Sequence, residues 1–171
     1  MHSALLLVDA QVNMFDPAAG LHDRDGVLDR LRVLLAEARR GGALVVHVQH
    51  DGGPGEVDAP ESPGWRIHPS LVPAAGELSV RKTTPDTFAS TDLESQLRRR
   101  AINHVVVAGM QSDFCVGATC HGALARGFGV TLVGDAHSTF DGRVTAAEAI
   151  ARLNRSLGAI AEVTPAEAVS F

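Results

Sequence analysis

Cysteine is scarce in this chain. Its 171 residues include two, Cys115 and Cys120, too few for the disulfide framework of a small secreted domain. On one helix, a spacing of five residues gives roughly 7.5 Å of rise and turns the two thiols to different faces, a poor geometry for a bridge. Cys120 reads as a packing thiol. Excess positive charge is also missing. The formal net charge is −5, and the basic cluster Arg98-Arg99-Arg100 falls where a helix should end and complements its dipole. No nucleic-acid partner is expected. No apolar run is long enough for a bilayer, and Ala4–Val8 has no basic leader before it and meets Asp9 directly after. A soluble, cytoplasmic protein without a membrane partner is therefore expected. The sequence carries no Gly-x-Gly-x-x-Gly after its first apolar run, no Walker-type phosphate loop and no Gly-x-Ser-x-Gly elbow. Internal repeats and low-complexity tracts are absent as well.

What is present is an alternation. Apolar runs at Ala4–Val8, Ala43–Gln49, Leu78–Val80, His104–Ala108, Val130–Val133 and Ile160–Val163 alternate with amphipathic stretches near Gly26–Arg40, Thr91–Arg100, Val116–Arg126 and Thr145–Leu157. This order predicts parallel strands joined by crossover helices. The near-continuous apolar character of the strands implies a sheet covered on both faces. The expected fold is a single α/β domain over residues 1–171, a three-layer α/β/α arrangement around a mostly parallel, open sheet of about six strands. Leu28, Leu31, Leu35 and Ala38 form one apolar stripe, closed by Gly41-Gly42. Thr91 with Glu94, Thr145 with Glu148, and Thr164 with Glu167 behind Pro165 read as capping boxes. The Gly- and Pro-rich segment from Asp51 to Gly76, which holds the single Trp65, reads as a loop forming a pocket wall.

In an open parallel sheet, ligands sit beyond the carboxyl ends of the strands. Three chemically useful side chains fall there: Asp9 after the first strand, Lys82 just after Leu78–Val80, and Cys115 after His104–Ala108 and the turn Gly109–Ser112. A thiol where a strand turns into a helix meets free backbone N–H groups and the positive end of the helix dipole, which favour thiolate. An acid, a cation and a thiol converging on one pocket point to nucleophilic catalysis.

These residues resemble the motifs of the isochorismatase-like cysteine hydrolases, a superfamily that includes nicotinamidases and N-carbamoylsarcosine amidases. The resemblance rests on Leu6-Leu7-Val8-Asp9 with Gln11 and Phe15, on Arg81-Lys82 followed by Phe88, on Gly109 through Val116 with Thr119 and Ala123, and on Asp135-Ala136 with Thr139. It implies a catalytic triad of Cys115, Asp9 and Lys82: Asp9 as general base and acid, Cys115 as nucleophile, Lys82 as electrostatic support. The family's cis peptide ahead of the nucleophile maps onto Met110–Gln111, and the Gln111 and Cys115 N–H groups would form the oxyanion hole. Phe15, His50, Trp65 and Phe88 are expected to contact substrate, and His68 is a further candidate. Asp113 and Asp135 read as turn and cap residues; Gln11 and Asn13 can be explained by turn chemistry or by reach into the pocket.

One departure stands out. Nicotinamidases carry an Asp-x-His metal motif after the second strand, whereas here His50 and Gly52 occupy those positions. His47 and His50 are an odd number of residues apart and face opposite sides of a strand. No metal and no other cofactor is expected. The implied activity is hydrolysis of a C–N bond in a small-molecule amide, through an acylated Cys115, by a homo-oligomer (dimer or tetramer). The alternatives are vinyl ether hydrolysis, as in isochorismatase proper, which in this family needs no cysteine nucleophile, and a non-catalytic metabolite- or partner-binding domain.

Overall fold

Residues 2–171 are described by a computed structural model. Six strands, β1 (Ser3–Val8), β2 (Leu44–His50), β3 (Leu78–Lys82), β4 (His104–Met110), β5 (Gly129–Ser138) and β6 (Glu162–Thr164), form one sheet in the order β3-β2-β1-β4-β5-β6. Every pairing is parallel. The order reverses between β1 and β4, which makes the carboxyl ends of these two strands the place for a ligand cleft.

Alternation along the strands divides the interior into two. Leu5, Leu7, Val45, Val106 and Ala108 pack with Val27, Leu31, Leu34, Leu35 and Ala38 of α1 (Arg24–Gly41). The opposite face packs Leu6, Val8, Val46 and Val107 against Leu93 and Leu97 of α2 (Leu93–Arg99), Cys120 and Ala123 of α3 (Gly117–Ala125), and Leu157 of α4 (Ala146–Gly158). The result is the expected three-layer order, with one long helix on one side and three shorter ones on the other. Among the described residues no helix is long and apolar enough to cross a membrane.

Three local expectations are corrected. The Thr145–Glu148 capping box forms in both directions, but the other two do not. Helix α2 begins at Leu93, because the Thr91 hydroxyl donates to the Thr87 carbonyl at 2.7 Å and Glu94 is taken up by Arg98 and Arg126. Thr164 to Glu167 leads only into a short 3-10 turn, Ala166–Ala168. Strand β5 runs on to Ser138, five residues past Val133: its pairing with β4 shifts register between Val107 and Gly109 and resumes with Gly109 beside His137.

A partly buried polar cluster ties β2 and α1 to the start of β3. The Glu77 carboxylate accepts from Arg39 Nε at 2.7 Å, from the Ala74 N–H at 2.8 Å and from His47 Nε2 at 2.8 Å. These bonds, Arg39 foremost, hold its pKa at about 2. A depressed carboxylate stabilises the fold above its unfolded pKa and loses that contribution as pH falls toward the folded value. Arg39 is 39% exposed, so screening leaves roughly 1 kcal/mol or less. Urea denaturation of Glu77→Gln should therefore show that loss at pH 7 and converge on wild type as the pH approaches 2.

Candidate active site

The chain leaves β1 through Asp9, a buried residue with φ of +47°, whose N–H still donates to Val48 O at 2.9 Å. Aspartate is among the few side chains that tolerate this left-handed backbone. Lys82 ends β3, two strands and about 10 Å of sheet away from β1. Its side chain crosses the end of β2 and is fully buried, with Nζ 2.9 Å from Asp9 Oδ2 and 3.2 Å from Cys115 Sγ. One ammonium thus touches both the acid and the thiol.

Cys115 reaches this point from β4. Gly109, with φ of +123°, lies against β1 so closely that a Cβ there would sit 2.0 Å from Val8 O. The next peptide, Met110–Gln111, is cis. A single π-helical turn, Ser112–Val116, then carries Cys115 ahead of α3, with the Phe114 and Val116 N–H groups both donating to Gln111 O. Strand β5 holds that turn from behind. Asn154 donates to Gly134 O at 2.8 Å, so its amide oxygen takes the Nε2 proton of buried His137 at 2.9 Å, and His137 Nδ1 accepts from Ser112 Oγ at 2.8 Å. Thr139 Oγ1 donates to Asp113 Oδ1 at 2.6 Å. Sequence reasoning missed the Ser112–His137–Asn154 chain, since its members come together only through the extension of β5. Asp113 and Asp135 are structural, the latter accepting from the Ala166 N–H at 2.8 Å.

The electrostatics correct the expectation of a ready thiolate. Burial, followed by the charge of Asp9, pushes the Cys115 thiol up to about 12 against the pull of Lys82. Burial also raises Asp9 above its ordinary value, Lys82 opposing. Desolvation outweighs the helix-terminus field, which reaches only the first turn. Lys82 bridging a carboxylate and a protonated thiol is the arrangement these shifts favour, and the second carboxylate oxygen, Asp9 Oδ1, is buried with no hydrogen-bond partner.

Asp9, His50, Gln111 and Cys115 line a cavity of about 380 Å³, with Met14, Asp58, Pro85 and Phe114 as its other walls. A larger hollow of about 650 Å³ opens at the amino ends of the strands, beside Ser3, Arg39 and Glu77, away from the acid–lysine–thiol group. Three expected substrate contacts lie elsewhere. Phe15 is buried edge-on to His68, their ring centroids 5.0 Å apart; Phe88 stacks on Phe128 at 5.7 Å; Trp65 donates its indole N–H to Asp51 and carries the Arg81 guanidinium over its ring. His68 accepts from the Ser70 N–H. Gln11 is a latch rather than a pocket group: its amide accepts from the His50 N–H and donates to the carbonyls of His50 and Trp65. Of the cavity residues that sequence reasoning missed, Met14 and Phe114 each sit one step before a residue it singled out, Asp58 lies in the aperiodic loop, and Pro85 lies in the turn after β3.

At the positions of the nicotinamidase metal motif stand His50 and Gly52. A Cβ at Gly52 would meet Asp58 Oδ1 at 2.1 Å, so the space of a histidine there is filled by a carboxylate. Among the described residues no three His, Cys, Asp or Glu side chains gather as a ligand set.

Comparison with known proteins bears on this site. The family model for the isochorismatase domain matches residues 3–167. A streptothricin hydrolase of Streptomyces noursei is 47% identical over 138 residues, which cover 81% of this chain and 50% of that protein. The chain thus spans about half the length of that relative. Among solved structures, an isochorismatase from Pseudomonas putida KT2440 superposes with a TM-score of 0.92 at 28% identity, covering 98% of this chain and 90% of that one. N-carbamoylsarcosine amidase from Thermoplasma acidophilum gives a TM-score of 0.82 at 25% identity, with 100% of each chain covered.

Proposed function

This chain belongs to the isochorismatase family, and from that premise we propose that it is a cysteine hydrolase that cleaves the C–N bond of a small-molecule amide. The observation that carries the reading is Lys82 Nζ lying 2.9 Å from Asp9 and 3.2 Å from Cys115 Sγ, with acid and thiol both opening on one cavity. The relatives named for hydrolysis of streptothricin and of N-carbamoylsarcosine support the same bond class.

In this reading Asp9 takes the thiol proton as sulfur attacks the carbonyl carbon, and the carbonyl electron pair moves onto oxygen. The raised proton affinity of Asp9 suits a base that must later act as an acid. Lys82 offsets the negative charge shared by carboxylate and sulfur throughout. The Gln111 and Cys115 N–H groups hold the oxyanion. Collapse of the adduct breaks the C–N bond, Asp9 protonates the departing nitrogen, and ammonia or an amine leaves. Water then attacks the thioester, giving one proton to Asp9; the C–S bond breaks, and Asp9 returns the proton to sulfur.

Cys115→Ala should reduce amine release to the uncatalysed level while leaving the circular dichroism melt near that of wild type. Full turnover by this variant would overturn the proposal. A free catalytic thiol fits a reducing compartment such as the cytoplasm. We further propose a homo-oligomer, dimer or tetramer, in which a second copy covers Phe114, 58% exposed at the cavity wall. A monomer in sedimentation equilibrium would remove that part of the reading.

A further inference from the structure

The charge of the cavity wall is unbalanced. Lys82 is not on the wall; it lies behind it, its ammonium occupied by Asp9 and Cys115. Arg81, the residue before it in β3, is held by Asp51 at 2.8 Å. No arginine or lysine lines the cavity. Asp58 does line it, and among the described residues its carboxylate has neither a side-chain hydrogen bond nor an ion pair.

Two further observations point to a ligand of matching chemistry. The Asp58 carboxylate lies over Gly52, its Oδ1 2.1 Å from where a Cβ on that residue would stand. On the same wall the buried His50 Nδ1 has no hydrogen-bond partner. A ligand that displaces water from the Asp58 carboxylate must supply N–H donors and, because that carboxylate has no counter-ion, positive charge. Met14, Pro85 and Phe114 form an apolar stretch of the same wall, fit for a short methylene stem.

We infer that Asp58 is a specificity-determining residue that recognises a cationic group, a protonated amine or guanidinium, on the substrate, so that the enzyme prefers positively charged amides and rejects carboxylate-bearing ones. This inference rests on the hydrolase reading for its reaction, but its charge preference can be measured without turnover.

The test compares three amides of equal chain length: ε-aminocaproamide, caproamide and adipamate. Ammonia release should rank cation over neutral over anion, with kcat/KM for the cation about tenfold or more above the neutral amide. Asp58→Asn should bring the cation-to-neutral ratio close to one, and Asp58→Lys should favour adipamate. In parallel, calorimetry on Cys115→Ala should show the same ranking in Kd, abolished by adding Asp58→Asn. Absence of turnover with the binding preference intact would remove the hydrolase reading and leave the inference standing. Turnover or binding that ignores charge or favours adipamate would overturn it, as would a failure to bind any of the three.

Discussion

Asp9→Asn is expected to abolish amide turnover and at the same time to make Cys115 alkylate faster. In the wild type the Asp9 carboxylate is, after burial, the main reason the thiol is pushed up to about 12. An isosteric amide removes that negative charge and leaves Lys82, 3.2 Å from the sulfur, with thiolate as its available counter-ion. A buried ammonium without a partner costs several kcal/mol, which itself favours ionising the thiol. Iodoacetamide labelling at pH 7, which tracks the thiolate fraction, should accelerate by about tenfold or more. Turnover should fall by a factor on the order of 100 to 10,000, the usual contribution of a positioned general base. Lys82→Ala should slow labelling instead. In the wild type, kcat/KM should fall on the acid side through a pKa above the ordinary carboxylate range of about 4, because the raised Asp9 must be ionised to accept the proton. Slower labelling in Asp9→Asn would mean that the carboxylate promotes the resting thiolate, contrary to the electrostatics described above.

Gly109→Ala should damage both fold and activity, although residue 109 carries no functional group. Its φ of +123° is strained for any L side chain, and the added Cβ would lie 2.0 Å from Val8 O, a backbone atom that cannot swing aside. Relief requires β4 to move away from β1, and these strands carry Cys115 and Asp9 on their adjoining ends. A loss of about 3 kcal/mol or more, a drop of about 10 °C in Tm, is expected, with turnover reduced at temperatures where the variant is still folded. Gly142→Ala is the matched control, since a Cβ there meets nothing within 4 Å. Equal melting temperatures for Gly109→Ala and wild type would contradict the close approach of the two strands.

Much of this architecture is legible in the sequence for identifiable reasons. Strands β1, β2 and β4 are mostly apolar along both faces because they lie between two helical layers, and the stripe of α1 marks the face it buries. Asp9 stands out because a polar group directly after an apolar run falls at a carboxyl strand end, Lys82 because it closes the short run of β3, and Cys115 because it stands at the turn from β4 into a helix. Other features are set by tertiary contacts. The apolar run ends at Val133 and Asp135 reads as a turn or cap residue, yet pairing with β4 after a register shift carries β5 on to Ser138, which brings His137 to Ser112. Phe15 and Phe88, which belong to the motifs that carry the resemblance, and Trp65, in the loop read as a pocket wall, are expected at the pocket, whereas the path of the backbone directs them into the core and the loop. Asp58 lies in a segment without periodicity, so nothing local distinguishes it from Asp51, which serves Arg81 and Trp65. The proton on Cys115 depends on desolvation, which local sequence does not encode.

The central claim is that Cys115 becomes covalently acylated during amide cleavage. Intact-mass spectrometry of the protein quenched in acid during turnover of ε-aminocaproamide should show an adduct of the acyl group's mass, mapped by peptide digestion to Cys115 and absent from Cys115→Ala. Steady turnover with an unmodified Cys115, undiminished in Cys115→Ala, would contradict the account.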